Sequence, residues 1–321
     1  MGAPFVVADV FSAEPFAGNQ LAVVTDATGL DVAAMQAIAA EFGFAESAFV
    51  LPPDRPGSVA RVRIFTPRVE LPFAGHPTVG TAAVLAAAGR IPLPGTGVFD
   101  EGVGPVRVAV ARSAPVAGAG AGPGAGPGAG PGAGPGGGGG RAGGLHAELA
   151  LDDPELHTAA PVPPAALAAA LGVDTRDVVD VFEAGVGMPF TFCRLSSVEL
   201  LDVIRPDGVG VGALDGPRGV FAFVGEPVDG ADLHARMWAP ALGIAEDPAT
   251  GSAAAGLVAV VTTWAAGHDG DAEVRLRIEQ GRAMRRTSHL HASARVEGGQ
   301  LTEVRVGGAV TLVAEGTLRV P

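Results

Sequence analysis

His76-Pro77-Thr78-Val79-Gly80-Thr81-Ala82-Ala83 and Asp247-Pro248-Ala249-Thr250-Gly251-Ser252-Ala253-Ala254 are two copies of one pattern, (H/D)-P-x-x-G-(S/T)-A-A. One copy falls in each half of the 321-residue chain, as expected if two related halves face each other. A proline early in a helix loses no hydrogen bond, because its missing N–H would be unpaired there. Each motif therefore reads as a helix start. Gly80 and Gly251 permit close backbone approach, while Thr81 and Ser252 place a hydroxyl beside free N–H groups at the positive end of a helix dipole. Such an end holds a carboxylate.

Outward from the motifs, the Ala-rich stretches predict helices over about 77–88 and 248–265. A further helix is predicted over 31–42, with Asp31 as N-cap and Gly43 as left-handed stop. Alternating apolar residues predict strands over 5–10, 20–25, 47–51 and 61–66 in the first half. The second half adds strands over 145–151, 190–195, 220–224, 233–238, 274–279, 290–296, 301–306 and 309–314. Residues 117–144 form an Ala-Gly-Pro tract with no side chain able to build a core, and read as a flexible insert. The expected organisation is an N-terminal lobe over 1–116, the insert, and a C-terminal lobe over 145–321 whose last strands pack back on the first lobe.

Composition removes several chemistries. All 21 basic residues are arginine, so neither a lysine Schiff base nor a phosphate-binding lysine is available. The lone Cys193 excludes an intrachain disulfide or paired-thiol mechanism and reads as a buried small hydrophobe. The seven histidines are scattered, so no metal is expected. A net charge of −13 repels phosphate backbones and anionic membranes, so neither nucleic acid nor a membrane is an expected partner. The N-terminal stretch lacks signal-peptide character and no apolar run is long enough to span a bilayer, which points to a cytoplasmic protein. Anion recognition falls to backbone donors and arginine, with Arg63, Arg236 and Arg286 as candidates.

His76 and Asp247 occupy equivalent places in the two motifs and could converge across a cleft. Glu46, in Phe44-Ala45-Glu46-Ser47-Ala48-Phe49-Val50 just past the Gly43 stop, supplies a further acid. Taken singly, each has a plainer explanation. A glutamate at a strand entry is more often solvated, a lone histidine more often structural, and an aspartate before a helix an ordinary N-cap. The constellation is what suggests proton transfer.

Longer stretches resemble the PhzF-like phenazine biosynthesis proteins, cofactor-free isomerases related in fold to diaminopimelate epimerase. They are DVFSAEPFAGNQLAVV from Asp9, AESAFV from Ala45 and RIFTPRVELPFAGHPTVGTAA from Arg63. The second half adds ARMWAP from Ala235, GIAEDPATGSAAAGL from Gly243 and QGRAMRRTS from Gln280. The resemblance implies an α+β fold of two similar lobes, each a curved, mostly antiparallel sheet around a central helix, with the active site between them and a homodimer as the usual assembly. It places the catalytic acid/base on Glu46, its polar partners on His76 and Asp247, and substrate contacts on Gly75, Gly251 and Ser252. No cofactor is implied, and the expected ligand is a small carboxylate-bearing molecule. The chain departs from the family at the 117–144 insert, at Gln20 where proline often follows Asn19, and at Trp238 where phenylalanine is common.

The resulting expectation is an isomerase that moves a proton between carbons through Glu46. Two rival readings are a non-catalytic small-acid binding protein, and a racemase or epimerase using Glu46 with Asp247.

Overall fold

A computed structural model describes residues 2–113, 144–206, 208–214 and 219–320. The first half contains strands β1 (Gly2–Val10), β2 (Asn19–Val24), β3 (Glu46–Leu51), β4 (Ala60–Phe65), β5 (Glu70–Leu71), β6 (Gly95–Glu101) and β7 (Gly104–Arg112). Helices α1 (Val32–Phe42) and α2 (Gly75–Ala87) lie among them. After the Ala-Gly-Pro tract come β8 (Leu145–Asp152), β9 (Leu156–Ala159), α3 (Pro164–Leu171), β10 (Val178–Val186) and β11 (Phe190–Leu195). The chain continues through α4 (Val198–Val203), α5 (Gly208–Gly212), β12 (Val220–Val224), β13 (Ala231–Ala239) and β14 (Ile244–Asp247). It ends with α6 (Gly251–Ala266), β15 (Ala272–Gln280), β16 (Ser288–Glu297) and β17 (Gln300–Arg319).

The strands form one mixed sheet in which most neighbours run antiparallel; β2–β3, β4–β6, β11–β12 and β13–β15 are parallel. A strand-rich α+β fold was expected, and it is found. Helix α2 packs against β1, β2, β3, β7, β8 and β17, whereas α6 packs against β9, β10, β11, β15, β16 and β17. Both helices are apolar around their whole circumference because strands surround them. Residues Gly75 through Ala86 are all buried, as are most of Gly251 through Thr262. Each buried Val or Leu contributes about 1.5–3 kcal/mol. That outweighs the roughly 1 kcal/mol forgone at a helix start without a side-chain cap. Packing, not capping, holds these helices.

Helix α1 follows its sequence signals: Asp31 accepts from the Ala34 N–H at 2.8 Å, and Gly43 ends the helix at φ 65°. Other expectations need correction. The stretches 301–306 and 309–314 form one strand, β17, not two. Gly307 and Gly308 look like a break but instead admit a close neighbour: a methyl group on Gly307 would lie 2.7 Å from the Ala147 carbonyl oxygen, and one on Gly308 2.8 Å from the Phe11 ring. β17 pairs with β16, β8 and β1, so it joins strands packed on α2 to strands packed on α6. β5, β6, β7, β9, β10 and β14, together with α3 to α5, were not foreseen.

The insert over 117–144 lies outside the described residues except for Gly144. Among the described residues no helix is long and apolar enough to cross a membrane. Cys193 is buried, and burial pushes its thiol up to about 12, which removes it from thiol chemistry.

Candidate active site

The two motif helices begin out of register with the motifs. α2 starts at Gly75, before His76 and Pro77, whereas α6 starts at Gly251, beyond Pro248. His76 therefore sits inside a first helical turn, and Asp247 is the last residue of β14. The expected equivalence of His76 with Asp247 thus fails at the level of backbone position. The residues that do match are Gly75 and Gly251, the first of each helix. Proline tolerates both settings, since neither the first turn nor the approach to a helix needs its N–H.

Those two glycines meet. A methyl group on Gly75 would lie 3.2 Å from Gly251 Cα and 3.3 Å from the Ser252 nitrogen. Neither helix has a side-chain cap: Ala74 and Thr250, the residues before them, make no such bond. The first-turn N–H groups of Gly75, His76, Gly251 and Ser252 are thus gathered at one place, with two helix dipoles converging on it.

Beside them, Glu46 opens β3 with 12 % of its side chain accessible, and its Oε2 lies 3.2 Å from His76 Nδ1. Burial, and secondarily the charge of Asp247, push the Glu46 carboxyl up to about 8. Burial pushes the His76 imidazole down to about 3, only partly offset by a bond to the Gln20 backbone. The contact near neutral pH therefore joins a neutral ring to a carboxyl group and is not an ion pair. His76 Nε2 is buried and has no hydrogen-bond partner among the described residues. Asp247 is also raised, first by burial, although bonds from Thr250 and Asn19 pull the other way. Its Oδ2 accepts from Thr250 Oγ1 at 2.6 Å and its Oδ1 from Asn19 Nδ2 at 2.8 Å.

The structure thus brings Glu46, His76, Asp247, Gly75, Gly251 and Ser252 together. It also shows two residues that sequence reasoning passed over. Asn19 Nδ2 donates to Asp247 and to the Ala249 carbonyl, and lies 3.4 Å from His76 Nδ1. Gln280 is fully buried; its Nε2 donates to the Asp247 carbonyl and its Oε1 accepts from the Thr250 N–H. Asn19 carried a usable signal, being the chain's single asparagine. The three candidate arginines are engaged elsewhere. Arg63 makes a bidentate pair with Glu70, and the buried Arg236 pairs with Glu246 and lies over the Trp238 ring. Arg286 binds Asp9 and the carbonyls of Phe16, Ala17 and Gly18.

A cleft of about 260 Å³ lies beside this cluster: Asn19, Ala45 and Pro248, which bond to or flank Asp247 and Glu46, are in its wall, whereas Glu46, His76, Asp247, Gly75, Gly251 and Ser252 are not. A larger depression, about 360 Å³, lies among Arg and Glu side chains of β8 and β15 to β17 and includes none of the site residues.

The sequence profile of the phenazine biosynthesis-like protein family (PhzC-PhzF) matches residues 8–121 and 141–316. The chain belongs to that family. An uncharacterized isomerase of Mesorhizobium japonicum is 37% identical, covering 98% of both chains. The trans-2,3-dihydro-3-hydroxyanthranilate isomerase of Pseudomonas aeruginosa is 32% identical, covering 97% of this chain and 98% of that one. The crystal structure of a PhzF-family phenazine biosynthesis protein from Bacillus anthracis superposes with a TM-score of 0.78 at 21% identity over the full length of both chains, a likeness of fold. Membership of this PhzF family makes the chain an enzyme of the isomerase class.

Proposed function

We propose that this PhzF-family chain is a cofactor-independent isomerase that moves a proton between two carbons of a small carboxylate-bearing substrate, with Glu46 as acid and base. The observation that carries this reading is the enclosed Glu46 carboxyl, held by His76 beside two uncapped helix starts that touch at Gly75 and Gly251. The free N–H groups of Gly75, Gly251 and Ser252 receive the substrate carboxylate, favoured by both helix dipoles. Glu46 in its ionised form takes a proton from one carbon, the electron pair shifts along the conjugated system, and the protonated Glu46, after exchange with solvent, delivers a proton to a second carbon. A carboxyl with its pKa near neutrality suits both halves of that transfer. Charge developing on the substrate is stabilised by the helix starts and by His76, whose Nε2 has no partner among the described residues.

Asp247 keeps Glu46 protonatable and orders Asn19 and Thr250. Both of its oxygens already accept hydrogen bonds, which favours one acid/base group over the two needed by a racemase or epimerase. The division into two lobes around the Ala-Gly-Pro tract, a homodimeric assembly and a cytoplasmic location complete the reading.

The name of the Pseudomonas aeruginosa relative supplies a first substrate to try. Incubation in deuterated water, followed by NMR, should show deuterium entering a new carbon position with migration of a double bond. Glu46→Gln should remain folded and lose that exchange. Undiminished turnover by the variant would refute the assignment. Loss of stereochemistry at one carbon would instead indicate an epimerase, and saturable binding without exchange a binding protein.

A further inference from the structure

The wall of the cleft carries a cation that the proposed reaction does not use. Arg68 lies in the loop between β4 and β5, and its guanidinium reaches the turn at Gly243 on the opposite wall. A methyl group on Gly243 would lie 3.2 Å from Arg68 Cζ and 3.3 Å from its Nε and Nη1, and Gly243 has φ of +82°. Both the turn and the room for the guanidinium therefore require glycine. The other charged side chains of the cleft wall are occupied, Arg286 by Asp9 and Glu246 by Arg236. The Arg68 guanidinium has no acid or hydrogen-bond acceptor within reach among the described residues. Arg68 is exposed, and in a chain with 34 acids against 21 arginines a cleft arginine clear of every described acid is placed for an anion from outside. Around it the wall is apolar, with Phe44, Leu242, Ile244 and Met284.

We infer that Arg68 is a specificity-determining residue that takes a second carboxylate of the substrate, borne on an apolar skeleton whose first carboxylate sits at the two helix starts. The inference rests on the reading of the helix starts as the site of that first carboxylate. Guanidinium and carboxylate match in a planar, two-point contact, so a diacid that reaches from the helix starts past Asn19 and Pro248 into the cleft pairs with Arg68, while a monoacid leaves it unpaired.

The test is calorimetric titration of the full chain with straight-chain dicarboxylates from malonate to pimelate, each compared with the monocarboxylate of equal length. The intact protein should bind at least one diacid about tenfold more tightly than its monoacid counterpart, the value of one charged hydrogen-bonded contact. Arg68→Gln should bring that ratio to about one, and Arg68→Lys should retain part of it, because the charge stays and the planar fork goes. A native protein without diacid preference, or an Arg68→Gln variant that keeps it, overturns the inference. Gly75→Ala, which parts the helix starts, separates the two readings: it should weaken monoacids and diacids alike and keep their ratio, and undiminished affinity for both in this variant would remove the first carboxylate from the helix starts and overturn the inference that rests on it. Failure of the intact protein to bind any of these acids overturns both.

Discussion

Gly75 and Gly251 touch backbone to backbone, and that contact fixes where the two helix starts deliver their N–H groups. Any side chain at Gly75 pushes on Gly251 Cα and the Ser252 nitrogen from 3.2 to 3.3 Å, so the helix starts must part by a few tenths of an ångström. Gly75→Ala should change stability by less than about 1.5 kcal/mol, since the better helix propensity of alanine offsets part of the strain. Turnover should fall at least about tenfold, because small displacements of positioning groups are costly. At Gly251 an added methyl meets only ordinary contacts of 3.4 to 3.6 Å, so Gly251→Ala should lose less. Parallel melts and steady-state rates on the two variants decide the point.

Glu46 and Glu101 are both buried acids whose carboxyls burial pushes up to about 8, whereas His76 is held down to about 3. Between about pH 4.5 and 8 the folded state therefore binds more protons at the two glutamates than the unfolded chain does, and stability falls as pH rises. His76 acts oppositely, but only below its unfolded value near 6.5. From pH 6.5 to 8 the acids are left alone, and each lowers stability by up to about 1.4 kcal/mol per pH unit. Denaturant titrations across that interval should show the decline, flattened in Glu46→Gln and again in Glu101→Gln. An unchanged slope in both variants would contradict the burial of these groups as ionisable acids.

How much of this was readable beforehand depends on whether a residue's role is local. Asp31 and Gly43 bound a helix by bonds to their own neighbours, so sequence reading located α1 within a residue. Glu46, His76 and Asp247 each lie in a recognisable motif, although the repeat misaligns His76 with Asp247. The motif register matched His76 to Asp247, while the fold matches Gly75 to Gly251, because helix starts are set by packing against surrounding strands and not by the proline. Gly307 and Gly308 misled for a related reason: their lack of side chains serves Ala147 and Phe11, which are remote in sequence. Arg236 could not be read as buried, since its partners Glu246, Leu201 and Ile204 come together only in three dimensions.

Asn19 links the acid pair to the backbone. Its Nδ2 hydrogens serve Asp247 Oδ1 and the Ala249 carbonyl, both at 2.8 Å, and lower the Asp247 pKa against its burial. Asn19→Ala strands both acceptors and should cost about 1–3 kcal/mol. It also makes Asp247 easier to protonate, which removes the negative charge that helps raise Glu46. The acidic limb of the kcat/KM profile should therefore move to lower pH in the variant. A purely structural asparagine would lower stability and leave that limb in place.

The Ala-Gly-Pro tract should be dispensable, and the reason lies at its two ends. Arg112 of β7 pairs with Leu145 of β8, and the Ser113 N–H donates to the Gly144 carbonyl at 2.6 Å. The strands on either side are already in hairpin register, so an Asn-Gly turn can replace residues 114–143 without moving either one. Shortening the connection lowers its closure entropy, which should raise stability by roughly 1–2 kcal/mol. Glu46, His76 and Asp247 have no bond to either end, so kcat/KM should be unchanged. Chemical denaturation together with the deuterium-exchange assay on the deletion variant checks both expectations, and a loss of turnover with stability retained would assign the tract a role in the reaction.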